Sequence, residues 1–247
     1  MGYLLERDVG KAFKKELEKH EFLFKDKYGN RYSTRFEVYL NKHVPTNSTK
    51  FRRFWRTKNL DINEIPPAQP EMDMILVDKY NNWHAIELKV VKKINNRLTP
   101  SYYFGLGQTL GYLSFGFNEV AMWQCFDGTN ISDDEIFYYD NALTRIRSPI
   151  DGVVGKTCFR LLNCNDEIRI QTAMFSPKDE KRFWQDGIGG YDEKTKTYRI
   201  TSTSDNPFLG NRDPRVGAIR EFLEKQKNEL WDKPVDGTVL NPTQKYR

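Results

Sequence analysis

Hydrophobic and polar positions along this chain follow two rhythms, with a long irregular stretch between them. Over residues 4–19 the period is helical. At 100° per residue Leu5, Val9, Ala12, Phe13 and Leu17 fall on one arc, with Arg7, Lys11, Lys14, Lys15 and Glu18 opposite. Glu6 and Glu16 interrupt the pattern by falling inside the apolar arc. A carboxylate there either snorkels outward or faces a site. Residues 31–40 (RYSTRFEVYL) are rich in β-formers and predict a strand. Residues 41–69 are polar and basic and end in PPAQP. That proline density stops regular structure and predicts a long connection, of the kind that is often functional.

Residues 70–93, PEMDMILVDKYNNWHAIELKVVKK, read as two apolar strands around a turn at Asp78-Lys79-Tyr80-Asn81-Asn82. Residues 101–116 predict a second helix despite Gly105, Gly107 and Gly111. Each glycine costs about 1 kcal/mol against alanine in a helix interior, but it also lets another element come close. EVAMWQCF, residues 119–126, predicts a buried strand. The order is therefore helix, strand, strand, strand, helix, strand. Beyond Asp140 the pattern weakens to strands over 167–175 and 194–203, a proline-started helix over 214–230 and an irregular tail. There is no internal repeat and no low-complexity tract.

The hairpin carries charge where its pattern predicts burial, and buried charge is costly unless paired or metal-bound. In a regular antiparallel hairpin the numbers of facing residues sum to a constant. A turn centred on Tyr80 makes that sum 160, which sets Asp73 opposite Glu87. Alternation puts Glu87 and Lys89 on one face, with Ile86, Leu88 and Val90 on the other. Two facing carboxylates repel, and a divalent cation between them removes the penalty. Hard oxygen ligands suit magnesium or manganese. A lysine beside them could orient a water or stabilise charge developing on a phosphate. The plainer alternative is a surface hairpin with an ordinary Glu–Lys pattern, which explains the apolar flanks less well.

Composition narrows the classes. The 247 residues are 30% charged and 38% apolar, with a net charge of +5. No apolar run approaches the roughly 18 residues of a membrane span. The segment MGYLLERDVGKAFKK has no signal-peptide core, so a cytoplasmic protein is expected. Cys125, Cys158 and Cys164 are odd in number and lack CxxC spacing, which points to reduced, structural thiols. The basic stretch KFRRFWRTK interleaves cations with aromatics. Cations neutralise phosphates and aromatic faces stack on unpaired bases, so Arg52, Arg53, Trp55 and Arg56, with Lys92 and Lys93 further on, are candidate nucleic-acid contacts. The alternative is a solvated loop whose aromatics pack on the core.

Asp73 followed by Glu87-Leu88-Lys89 resembles the acidic residue and Glu/Asp-X-Lys of the PD-(D/E)XK nuclease superfamily. Gln108-Thr-Leu-Gly-Tyr112 is similar to the QxxxY of its RecB-like branch, and Gln and Tyr at i and i+4 share a helix face. The resemblance covers about residues 3–126. It implies an α/β, restriction-endonuclease-like αβββαβ core with a mixed central sheet over residues 1–145, and an α+β extension over 146–247. It implies a Mg²⁺- or Mn²⁺-dependent deoxyribonuclease acting on DNA. Asp73, Glu87 and the Leu88 backbone carbonyl would bind metal, Lys89 would assist the nucleophile, and Gln108 and Tyr112 would complete the site. Family members often add an acid from the first helix. Glu6 matches best, ahead of Glu16 and Glu37, and neither His20 nor His43 fits. The extension is expected to set substrate choice or self-association, such as a homodimer. The rival reading is a non-catalytic nucleic-acid-binding or assembly protein on the same fold.

Overall fold

The computed structural model describes residues 4–25, 31–66, 71–100, 105–147, 153–164, 167–176, 178–192, 197–199, 213–227 and 231–232. It is an α/β arrangement on an open, mixed sheet. In chain order the elements are α1 (Glu6–Lys19), β1 (Phe22–Lys25), β2 (Arg31–Thr34), β3 (Glu37–His43), α2 (Thr49–Thr57), β4 (Glu71–Val77), β5 (Trp83–Ile94) and β6 (Arg97–Thr99). There follow α3 (Leu106–Tyr112), β7 (Glu119–Asp127), α4 (Asp133–Arg147), β8 (Gly155–Cys164), β9 (Glu167–Ser176) and β10 (Lys181–Asp186). The last are β11 (Gly190–Asp192), β12 (Thr197–Arg199), α5 (Pro214–Lys225) and β13 (Trp231–Asp232).

The main sheet runs β10-β9-β8-β7-β5-β4-β3-β13, with β6 folded back onto β5. The β5–β7 and β7–β8 pairs are parallel and the others antiparallel. Of the strands after residue 146, β8, β9, β10 and β13 thus continue the sheet that carries the hairpin. A smaller sheet orders β11-β12-β1-β2. No helix among the described residues is long and apolar enough to cross a membrane.

One face of the main sheet is covered by α1. Val9, Phe13 and Leu17 bury there against Ile86, Leu88, Trp123 and Phe159. Phe13 meets Trp123 and Phe159 at centroid distances of 5.0 and 4.8 Å, pairings worth about 0.5–1.5 kcal/mol each beyond their buried area. The other face packs on α2, α3 and α5, joining Phe51, Trp55, Tyr112, Ile219 and Phe222 to Ile75, Trp83 and Ala85. By alternation Glu87 and Lys89 belong to this second face, with Trp83 and Ala85.

Four expectations need correction. Leu5 is 49% exposed, because it precedes the helix in an extended conformation and the helical arc does not reach it. The strand expected over 31–40 is two strands in different sheets, broken at Arg35-Phe36. The connection expected over 41–69 holds the end of β3 and the helix α2, whose Ser48 side chain caps Phe51 N at 3.0 Å. The second helix is broken at Gly105, which takes φ 92°, and runs from Leu106 to Tyr112, while residues 101–104 lie outside the described residues. The strand expected over 194–203 is described only at 197–199, the helix over 214–230 only to 227, and the tail lies outside the described residues but for 231–232.

Candidate active site

The site begins with the turn. Asp78 Oδ1 accepts the backbone N–H groups of Tyr80 and Asn82, each at 2.8 Å, and Asn81 takes the left-handed φ of 62° that closes the loop. This fixes the β4–β5 register as Met74↔Ile86, Ile75↔Ala85, Leu76↔His84 and Val77↔Trp83. Every pair sums to 160, as the turn arithmetic requires. Asp73 lies one step beyond the last of these pairs. There its Oδ2 accepts the Leu88 N–H at 2.9 Å.

Three carboxylates from three elements converge on one ammonium. Lys89 Nζ lies 2.5 Å from Glu87 Oε1, 3.8 Å from Asp73 Oδ2 and 3.9 Å from Glu6 Oε1. The side chains of Glu87, Lys89 and Asp73 are only 1%, 8% and 11% exposed, whereas Glu6, at the start of α1, is 45% exposed. Two of these acids are held by strands, and the third reaches in from the solvent side.

Helix α3 supplies the clamp. Tyr112 is fully buried and its hydroxyl contacts both Glu87 Oε2 and, at 2.6 Å, the Glu71 carbonyl oxygen. The single hydroxyl proton serves one acceptor at a time. Gln108 Nε2 donates to the same Glu71 carbonyl and to the Tyr112 hydroxyl, both at 2.9 Å. The Gln–Tyr pair thereby ties the start of β4, two residues before Asp73, to the Glu87 carboxylate.

Electrostatics follow from burial. Burial foremost, then the Glu87 charge, pushes Asp73 up to about 7, with Lys89 pulling the other way. Burial likewise raises Glu87 against the pull of Lys89 and Tyr112. For Lys89, burial alone would lower the pKa, but Glu87, Asp73 and Glu6 outweigh it and the net shift is upward. Tyr112 is raised by burial and then by Glu87. A carboxylate brought near neutrality beside a charge partner marks a functional-site candidate.

Three of the site's carboxylate oxygens have close partners. Glu87 meets Lys89 through one oxygen and Tyr112 through the other, and Asp73 meets the Leu88 N–H. Among the described residues no group of three or more His, Cys, Asp and Glu side chains is placed to hold a metal ion. The cation now standing among the carboxylates is an ammonium.

Other sequence candidates lie elsewhere. Glu16 faces His20 at 3.5 Å, and Glu37 is engaged by Tyr39 and Lys227 at 2.7 and 2.6 Å. Trp55 is fully buried and donates its indole N–H to Asp61 O at 2.8 Å, so its ring has no face to offer a base. Phe51 is buried too, whereas Lys50, Arg52, Arg53, Arg56, Thr57 and Lys58 of that stretch are exposed. Lys93 pairs with Glu135 at 2.7 Å, and Lys92 is half-buried on β5.

Two residues were missed. A Cβ on Gly105 would lie 2.7 Å from Lys89 Cε and 3.3 Å from Glu87 Cγ. The glycines of this helix hinted at a close approach, but Gly107 and Gly111 have nothing within 4 Å, and only Gly105 makes it. Gln124 is buried and in register with Lys89 across the parallel β5–β7 pair. Its signal was a lone amide in the apolar run EVAMWQCF.

No family model, curated protein or solved structure matches the chain. The likeness to PD-(D/E)XK nucleases therefore rests on the residues and their geometry alone.

Proposed function

We propose that this protein is a metal-dependent deoxyribonuclease of restriction-endonuclease-like fold. The observation that supports it is the convergence of Glu6, Asp73 and Glu87 on Lys89. Packing gives no reason for acids from α1, β4 and β5 to meet around one buried ammonium, and isolated buried charges are strongly disfavoured. Asp73 and Glu87, with Glu6 and the Leu88 carbonyl, would hold a hard divalent cation such as Mg²⁺ or Mn²⁺, an all-oxygen set suited to it. When bound, such an ion polarises a phosphodiester oxygen and lowers the pKa of a water. Lys89 would stabilise negative charge developing on the phosphate or orient the attacking water. Tyr112 and Gln108 would keep Glu87 and the start of β4 in place.

A second reading has its own support. Glu87 meets Lys89 through one oxygen and Tyr112 through the other, as expected of a nucleic-acid-binding protein that never turns over. A cleavage panel separates the two: single-stranded, duplex and branched DNA, and RNA, with Mg²⁺, with Mn²⁺ and with chelator. Cleavage of DNA that needs the divalent ion supports the nuclease. Salt-dependent binding with every substrate left intact supports the binder.

A further inference from the structure

We propose that the outward face of α2 is a docking surface for the phosphate backbone of duplex DNA, used without reading bases. The proposal rests on the nucleic-acid reading of the site and specifies which form of nucleic acid is taken. Helix α2 divides its residues sharply. Phe51 and Trp55, one turn apart, are fully buried in the cluster that also holds Met72 and Tyr112, and Phe54 packs on Phe222 at 5.4 Å. At 100° per residue Arg52, Arg56 and Arg53 span a 100° arc away from those aromatics. All three are exposed, and none of their side chains has an ion-pair or hydrogen-bond partner among the described residues.

The local charge is one-sided. Between Glu37 and Asp61 the chain contains no acid, yet it carries Lys42, Lys50, Arg52, Arg53, Arg56 and Lys58. Lys58 is taken by Glu221 at 2.5 Å, which leaves the arginine arc as the unneutralised part. The helix lies on the sheet face that carries Glu87 and Lys89 and shares a buried cluster with Tyr112, whose hydroxyl contacts Glu87. Arg52 and Arg56 are offset by about 6 Å along the helix axis, a spacing compatible with successive phosphates of one strand.

Burial of the aromatics decides the form of the ligand. Proteins that bind single strands combine cations with aromatic faces, and each stacked base contributes about 1–3 kcal/mol. Here the cations are outside and the aromatics inside, so the stacking contribution is absent from this face. What remains is Coulombic, and it favours the polymer with more charge per length, the duplex with one charge per about 1.7 Å.

The test uses the full chain in chelator, so that no cleavage is needed. Fluorescence anisotropy with a short DNA duplex and its separated strand, titrated with NaCl, gives affinity and salt slope. We expect the duplex to bind more tightly than the strand. The Arg52→Ala/Arg53→Ala/Arg56→Ala variant should lower the duplex slope by about 2.7, three contacts at about 0.9 each. The surface control Lys11→Ala/Lys19→Ala, on the α1 side, should leave the slope as in wild type. Equal or tighter binding of the strand, or an unchanged slope in the triple variant, overturns the proposal. A wild type that binds duplex with the expected slope but cuts nothing in Mg²⁺ overturns the nuclease reading and leaves this one standing.

Discussion

Lys89 Nζ sits 2.5 Å from Glu87 Oε1, on a strand where both side chains are almost wholly buried. The same ammonium stands within 4 Å of Asp73 and Glu6, so one cation serves three acids. Removing one partner of a buried pair leaves the other uncompensated. Lys89→Ala should therefore lose about 3 kcal/mol or more of unfolding free energy in chemical denaturation. Millimolar Mg²⁺ should restore part of that loss in the variant, by binding where the ammonium stood. A variant as stable as wild type would show that the acids are neutralised some other way.

Asp73 gives a pH signature. Its pKa is raised from 3.8 to about 7, so the folded chain holds a proton that the unfolded chain releases. The resulting cost is absent below about pH 4, grows as pH rises towards 7 and is complete above it. Asp73→Asn removes the cost while its amide oxygen can still accept the Leu88 N–H. Relative to wild type, the variant should gain at least about 1 kcal/mol more at pH 8 than at pH 4, a difference of about 2–4 °C in Tm. A pH-independent difference between the two proteins would contradict the shifted carboxyl.

Tyr112 and Gln108 should not be equivalent. Tyr112→Phe strips a buried carboxylate and a backbone carbonyl of a shared donor, a loss of about 1–3 kcal/mol. Gln108→Ala removes a donor nearer the surface and should cost less. Because Gln108 donates to the Tyr112 hydroxyl, the double variant should lose less than the sum of the singles. Strict additivity in a double-mutant cycle would mean that the two do not form one clamp.

Gly105 offers a test with an internal control. Alanine there combines a left-handed φ of 92° with a Cβ 2.7 Å from Lys89 Cε. The backbone alone costs about 1–2 kcal/mol, and the lysine must also shift. Gly107→Ala, two residues on with open space around it, should instead stabilise by up to about 1 kcal/mol. Thermal melts of the two variants should move in opposite directions.

Much of the site was legible because its parts are local. The hairpin register needs only a regular turn, and Asp78 supplies one by capping Tyr80 N and Asn82 N. Gln108 and Tyr112 needed only the helical period. Helix α2 escaped because it is nine residues long and buries little beyond one Phe51–Trp55 stripe under a highly charged face. The continuation of the sheet through β8–β10 was hidden for a different reason. Its parallel joining to β7 crosses over through α4, and pairing at that separation leaves no local pattern. Position on the helical arc made Glu6 the best acid, but only the fold shows how near it comes to Lys89.

We propose that Asp73, Glu87 and Lys89 form a hydrolytic metal site. Single-turnover cleavage of duplex DNA with Mg²⁺ by wild type and by Lys89→Ala, each first shown to be folded, tests it most directly. Wild type should cleave, chelator should abolish the cleavage, and the variant should be at least about 100-fold slower, the lower end of what one charge-stabilising group contributes. Full activity in Lys89→Ala, or no cleavage by wild type in Mg²⁺ or Mn²⁺, would contradict it.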